Sequence, residues 1–418
     1  MSIALEEYFA NVKGSLQKAE RDETKDRIVS LDVIKGIAIL LVILAHVSMT
    51  TFRPEWKWLN ALIYMILDVF GPSMFVFLSC LGVIFSAKKK RDDLDPNAVR
   101  NTVLRRAFAL MIFAFATNLI INSGLGIFSF WYWTVIQFIA FGQIITFFIL
   151  KMRKEQRMML AFLIAYISPS VFNQLTFRMG QAGIDYLSLT VGDLGNFYAL
   201  LYWLFFYPVF QVPILPWVVI PIVGSIVGEN LVDSFNMKNE GRKDAYPTFF
   251  KGLLFNGIIM TAFGILSGMN VKIDEFGLNI VERINASPFI DWPGIPEFLI
   301  HSSIPNVIYS LGVGMIIIAV SFYICEIKGY KGRITKFFTF FGRFSLSLFA
   351  YHTIFLLFFR DSLGIIGVLI YVIVIWISLG FFLYVARYRW KGVGTLEWFI
   401  IAAGGLKRLK KKYGRQNA

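Results

Sequence analysis

The feature that most constrains this chain is the recurrence of long apolar blocks. Ten can be drawn, at about residues 33–50, 59–86, 104–122, 127–150, 158–175, 213–231, 249–270, 305–325, 337–359 and 365–386. A helix that crosses a bilayer needs about 20 such residues. Only helices and closed barrels satisfy their own backbone in hydrocarbon. Composition agrees, since 57% of the 418 residues are apolar and 16% charged, where a soluble domain carries about a quarter charged. The expected fold class is all-α: a polytopic membrane protein of about ten transmembrane helices. It divides into an N-terminal segment (1–30), one membrane domain (31–400) and a basic tail (401–418).

Charge sets the orientation. All but six of the 41 Lys and Arg residues fall on one side of the spans; the six are Arg53, Lys57, Arg178, Lys272, Arg283 and Arg360. Basic residues accumulate on the cytoplasmic side, so both termini are expected there. The same asymmetry accounts for the net charge of +14 and removes nucleic acid as a partner. Cys80 and Cys325 lie inside apolar blocks, which excludes a disulfide-built domain. About 30 polar residues precede the first block, which therefore reads as a retained span. With short outer loops, this suits a prokaryotic cytoplasmic membrane. The basic run Leu406 to Lys412 reads as lying against anionic lipid.

Two spans carry breakers. Ser168-Pro169-Ser170 should interrupt the fifth, and Pro213, Pro216 and Pro221 should kink or break the sixth. The outer segments 176–212 and 271–304 are rich in Gly, Pro and aromatics. They read either as re-entrant elements covering a cavity or as interfacial anchors. No internal repeat of the transporter kind is visible.

Ionisable groups are expensive in hydrocarbon, so the few present are candidates for function. His46, Asp68, Arg343 and His352 stand out. His46 follows Asp32 by 14 residues, close to four turns and about 21 Å, which separates an outer imidazole from an inner charged group of Arg27, Asp32 and Lys35. His352 has a similar depth to His46, and His301 lies in the outer segment before the eighth span. Arg343 is nine residues from His352, about half a turn round the helix, so the two should serve different places. Each also has a plainer reading, as a packed histidine, a helix-bridging carboxylate or a topological charge. No Gly-rich nucleotide loop and no metal-ligand spacing is present.

The order of several motifs is informative. Arg27-x-x-Ser30-Leu31-Asp32-x-x-Lys35-Gly36-x-Ala38 precedes a histidine ten residues beyond Gly36. Then come Asp68 to Leu78 with Pro72, Leu215-Pro216-Trp217 with Gly224 and Gly228, and Ser302-Ser303-Ile304-Pro305. Gly342-Arg343-Phe344-Ser345-Leu346-Ser347 with His352, and Gly394-Thr395-Leu396-Glu397-Trp398, complete the series. This pattern, over about residues 27–400, resembles the transmembrane acyltransferase superfamily and within it the heparan-alpha-glucosaminide N-acetyltransferase-like family. Lys35 stands where the family usually has Arg, keeping the charge and losing the guanidinium fork.

The resemblance implies an acyltransferase, normally an acetyltransferase, moving an acyl group from cytoplasmic acetyl-CoA (acyl-CoA) to an amine or hydroxyl of a sugar or glycolipid acceptor on the outer side. It implies that His46 is the essential histidine, acting as general base, with Asp68 orienting its imidazole or holding the acceptor. Arg27, Asp32, Lys35 and Arg343 would meet the CoA, helped by the basic inner cluster, and His301 and His352 would face the acceptor. Membrane lipid is the surrounding partner, and a homodimer stays open. A transporter or flippase for a sugar-linked lipid or small metabolite is the rival from another class, and an inactive scaffold the third reading.

Overall fold

A computed structural model describes residues 27–91, 96–121, 131–207, 212–272 and 278–403. Most of the N-terminal segment, part of the fourth expected span and most of the basic tail lie outside them.

Eight helical stretches are long and apolar enough to cross a membrane: Val29–Thr51, Pro54–Phe85, Arg100–Leu119, Lys154–Gln181, Ile214–Asn239, Ala245–Ser267, Ile304–Ile327 and Ile365–Tyr388. The other two expected spans take different forms. The fourth is a 15-residue helix, Val135–Ile149. The ninth is broken at Phe344 into two 11-residue helices, Arg333–Arg343 and Ser345–Phe355. In chain order we label α1 (Val29–Thr51), α2 (Lys57–Leu67), α3 (Pro72–Arg91), α4 (Pro96–Ile121), α5 (Val135–Ile149), α6 (Lys154–Gln181), α7 (Phe197–Phe205), α8 (Ile214–Trp217), α9 (Val219–Asn239), α10 (Ala245–Ser267), α11 (Leu278–Asn285), α12 (Ile304–Phe322), α13 (Arg333–Arg343), α14 (Ser345–Phe355) and α15 (Ile365–Tyr388).

The second span is two helices joined by a 3-10 turn at Asp68–Phe70, because Gly71 and Pro72 end one helix and start the next. The sixth is broken as its prolines require, with Leu215 extended inside the short α8. The fifth corrects the expectation. α6 runs 28 residues through Pro169, and the Ser168 hydroxyl bonds the Ile164 carbonyl at 2.6 Å in the same stretch.

Burial sorts the helices. In the Ile214–Asn239 span 72% of the apolar window is buried and in α1 61%, against 17% in α6 and 22% in α10 and α15. α1, α3 and α9 therefore form the interior, while α10 and α15 turn residues such as Phe255, Phe263, Leu369 and Ile377 outward to lipid. α1 and α13 cross closely at Gly36 and Gly342; a Cβ on either would overlap the backbone of the other helix, at Phe338 and Asp32. Such small residues let helices approach where lipid gives no hydrophobic drive. The outer segment after α10 forms a short antiparallel pair, Val271 with Pro296 and Lys272 with Ile295. Ile284, Ile295 and Ile300 of that segment pack on Ala61 of α2, covering the outer end of the bundle there.

Candidate active site

α1 carries His46 towards its outer end, and the helix that starts afresh after Phe344 carries His352. The two rings meet: His46 Nδ1 lies 2.8 Å from His352 Nε2, with ring planes 24° apart. The other nitrogen of His352, Nδ1, faces the Leu348 carbonyl at 3.2 Å. A carbonyl only accepts, so His352 carries its proton on Nδ1 and offers Nε2 as an acceptor. His46 must then donate from Nδ1, which leaves its Nε2 unprotonated. The tautomers are assigned from this chain of partners. Phe349 lies edge-on to both rings, at centroid distances of 6.1 and 5.5 Å.

Asp68 belongs to a second pair. The 3-10 turn buries its carboxylate, and the His301 Nδ1–H donates to Oδ1 at 2.7 Å. The Asn306 amide donates to Oδ2 at 3.1 Å and also to the Phe298 carbonyl at 3.1 Å. Ser303 caps α12 by accepting from Asn306 N, which fixes where Asn306 points. Trp217 stands beside the His301 ring, at 5.4 Å between centroids, and its indole N–H donates to Ser302 Oγ. Asp68 is thus bonded to His301 and Asn306, and it is His352 that meets the His46 ring. Asn60 joins α2 to α1 through Ser48 Oγ at 2.8 Å and the Ala45 carbonyl at 3.3 Å.

One member of each pair lines a single small cavity of about 30 Å³, walled by His46, Tyr64 and Asp68 with Val42, Phe75 and Phe349 among its apolar residues. Since His46 Nδ1 is engaged, Nε2 is the nitrogen left for that space.

The inner end holds the charged group. Arg27 and Arg343 both approach Asp32, at 3.5 and 4.0 Å, so these three expected residues do come together. Lys35 lies one turn further along α1, its ammonium 4.0 Å from where a Cβ on Gly82 of α3 would stand. Among the described residues no carboxylate or carbonyl pairs with it. Two other inner basic residues differ. Lys154 is paired with Asp233 at 3.0 Å and bonded to Asn230 at 2.7 Å. The buried Arg157 is paired with Glu229 and bonds Ser225 Oγ at 2.9 Å. The side chains of Lys88 to Arg91 lie outside the described residues.

Sequence reasoning missed Asn60, Asn306 and Glu326, and gave no role to Glu397 of the Gly394–Trp398 motif; both carboxylates meet helix starts. Glu326 accepts from Ser30 N at 3.1 Å at the start of α1. Glu397 accepts from Leu346 N at 2.9 Å and Ser347 N at 3.1 Å at the start of α14. Burial raises the Glu397 carboxyl above the usual range, opposed by its hydrogen bonds from Ser347 and Leu346. At the outer surface the Lys57 ammonium, hydrogen-bonded to Asp361, holds that carboxyl below it.

A comparison with curated proteins finds no match. The family model for the heparan-alpha-glucosaminide N-acetyltransferase catalytic domain matches residues 27–263, more than half of the chain, and includes His46, Asp68 and Lys35. The chain therefore belongs to that family, a family of membrane acetyltransferases.

Proposed function

We propose that the protein transfers an acetyl group from acetyl-CoA, taken from the inner face, to an amine or hydroxyl of a sugar-type acceptor reached from the outer face, with His46 as general base. The observation that carries this reading is the chain from the Leu348 carbonyl through His352 to His46, which leaves Nε2 unprotonated on a histidine that lines a cavity.

An acceptor hydroxyl or ammonium must lose a proton as it forms its new bond, and imidazole is the side chain best matched to that near neutral pH. His46 Nε2 takes that proton. Its Nδ1–H, now on a cation, then donates more strongly to the neutral His352. Asp68 holds the acceptor: two of its roughly four lone-pair sites go to His301 and Asn306, and the others remain for a hydroxyl or ammonium. His301 contributes by fixing Asp68.

The inner residues suit a CoA donor. Lys35 is an ammonium without a partner among the described residues, and Arg343 and Arg27 stand near it around Asp32. Lys35 and Arg343 would take phosphates, Asp32 orienting the two guanidinium groups. An acyl thioester supplies an activated carbonyl carbon and a thiolate that leaves and recovers the proton. Lys35 is eleven residues from His46, about 16 Å of helix, a length that an extended phosphopantetheine arm spans.

The test is transfer from labelled acetyl-CoA to glucosamine and glycolipid acceptors by the purified protein in lipid, wild type against His46→Ala. Loss of transfer in the variant supports the assignment. Equal turnover would sink the His46 mechanism, and acetyl-CoA-independent movement of substrate across the bilayer would favour a transporter.

A further inference from the structure

The helix that carries His352 does not inherit its position from the one before it. α13 ends at Arg343, and Phe344, at φ −117° and ψ 26°, separates it from α14. A helix that begins inside a bundle exposes N–H groups without intrahelical partners. Here they are met from the far end of the chain. Glu397 takes the Leu346 and Ser347 amides on Oε1, and the Ser347 hydroxyl on Oε2. The same hydroxyl accepts from Leu396 N at 2.8 Å, closing the ring. Ser347 is fully buried and Leu396 nearly so. One turn on, the Tyr351 hydroxyl donates to the Gly394 carbonyl. Among the described residues no Lys or Arg forms an ion pair with Glu397; amides and a hydroxyl meet its charge, at a helix start where negative charge is favoured.

His352 follows Ser347 by five residues, about 7.5 Å of rise, and lies next to Tyr351. Fixing the first turn of so short a helix fixes its depth and its rotation, and so the direction of the His352 ring. α1 has a comparable anchor, since Glu326 meets Ser30 N at its start. Each histidine of the pair thus rides on a helix whose first turn is held by a carboxylate from another part of the chain.

We infer that Glu397 is a positioning residue for transfer: it caps α14 from outside the helix and thereby sets His352 against His46. This rests on the reading of His46 as the base. The molecule offers a direct readout, because it has only three histidines, and His301 sits in the other pair as an internal control. Protein labelled with ¹⁵N at the histidine rings, assigned through His→Gln variants, reports the two tautomers without any turnover. In Glu397→Ala the ring signals of His46 and His352 should move while those of His301 stay. The kcat should fall about 10²-fold, the scale of a small misplacement, with KM for acetyl-CoA within about twofold. Glu397→Gln, whose carbonyl can still accept from the amides, should recover most of both. In a His352→Gln background Glu397→Ala should add little.

Unchanged His46 and His352 signals in Glu397→Ala overturn the inference. Equal movement of all three histidines, with a collapse in thermal stability that Glu397→Gln does not rescue, overturns it too, since the role would then be structural. If His46→Ala keeps full turnover while Glu397→Ala moves only the His46 and His352 signals, the base reading fails and the control of the ring pair by Glu397 stands.

Discussion

α1 presents two polar residues to the interior eleven positions apart, and the bundle treats them in opposite ways. His46 is met by His352 at 2.8 Å, which is itself held by a backbone carbonyl. Lys35 has no such partner among the described residues, although Asp32 lies one turn away and is approached by Arg27 and Arg343. Two imidazolium rings at that distance would repel, so the pair does not carry two charges, and a His46 that donates from Nδ1 keeps a lone pair on Nε2. An ammonium between helices with no hydrogen-bonded anion, only the longer-range pull of Asp32 and Glu397, is costly unless an anion meets it. On the proposed function, one end of α1 is finished in the protein alone and takes a proton, and the other is completed by a negative ligand.

The comparison breaks most visibly at the outer end. His46→Ala should lower kcat by about 10²–10⁴-fold, the range for a lost general base, measured with labelled acetyl-CoA. His352→Gln keeps a side chain able to accept from His46 Nδ1 yet loses the anchored ring. It should cost about 10²-fold in kcat, with KM for acetyl-CoA unmoved and the pH profile of kcat displaced. A profile identical to wild type would remove His352 from the mechanism.

Lys35→Met tests the inner end and should act on a different constant. A hydrogen bond to a charged group contributes about 1.5–3 kcal/mol, so KM for acetyl-CoA should rise about tenfold to a hundredfold, with kcat nearly unchanged. Lys35→Arg should restore most of it. A variant that lost kcat alone would place Lys35 in the chemistry and erase the distinction between the two ends.

Much of this frame was legible in the residues. A chain with few charges in its spans exposes those it has, and His46, Asp68, His301, Arg343 and His352 all prove to border the cavity, hold a residue that does, or join the inner charged group. The partnerships were not legible. His46 and His352 are 306 positions apart and Asp68 and His301 233, and which faces meet depends on helix rotation, which apolar patterning cannot fix when a helix is apolar all round. Asn60 and Asn306 carry no charge and so gave no signal. Glu397 stood out only as part of the Gly394–Trp398 motif, and nothing in its position after the last span tied it to the start of α14. The break at Phe344 was hidden because the run from Phe337 to Phe355 stays mostly apolar across it, with Ser345 and Ser347 too common to mark a helix start. Pro169 misled in the other direction, since α6 continues through it.

The smallest expected effect is also the sharpest check on what separates Lys35 from the rest of the inner positive charge. Proximity to the inner face alone would let any basic residue there help to hold a phosphate. Lys154 is such a residue, but its ammonium is already shared between Asp233 and Asn230. To reach a phosphate it would have to leave both, giving up one set of charge-assisted contacts for another. Its side chain is 36% exposed and that of Asp233 41%, and exposed pairs of this kind contribute about 0–1 kcal/mol. Lys154→Met should therefore change KM for acetyl-CoA by less than about fivefold, the most that such an energy allows, and leave kcat alone. A rise in KM as large as that in Lys35→Met would mean that the donor senses the summed charge of the inner face, and that the missing partner of Lys35 has no special bearing on binding.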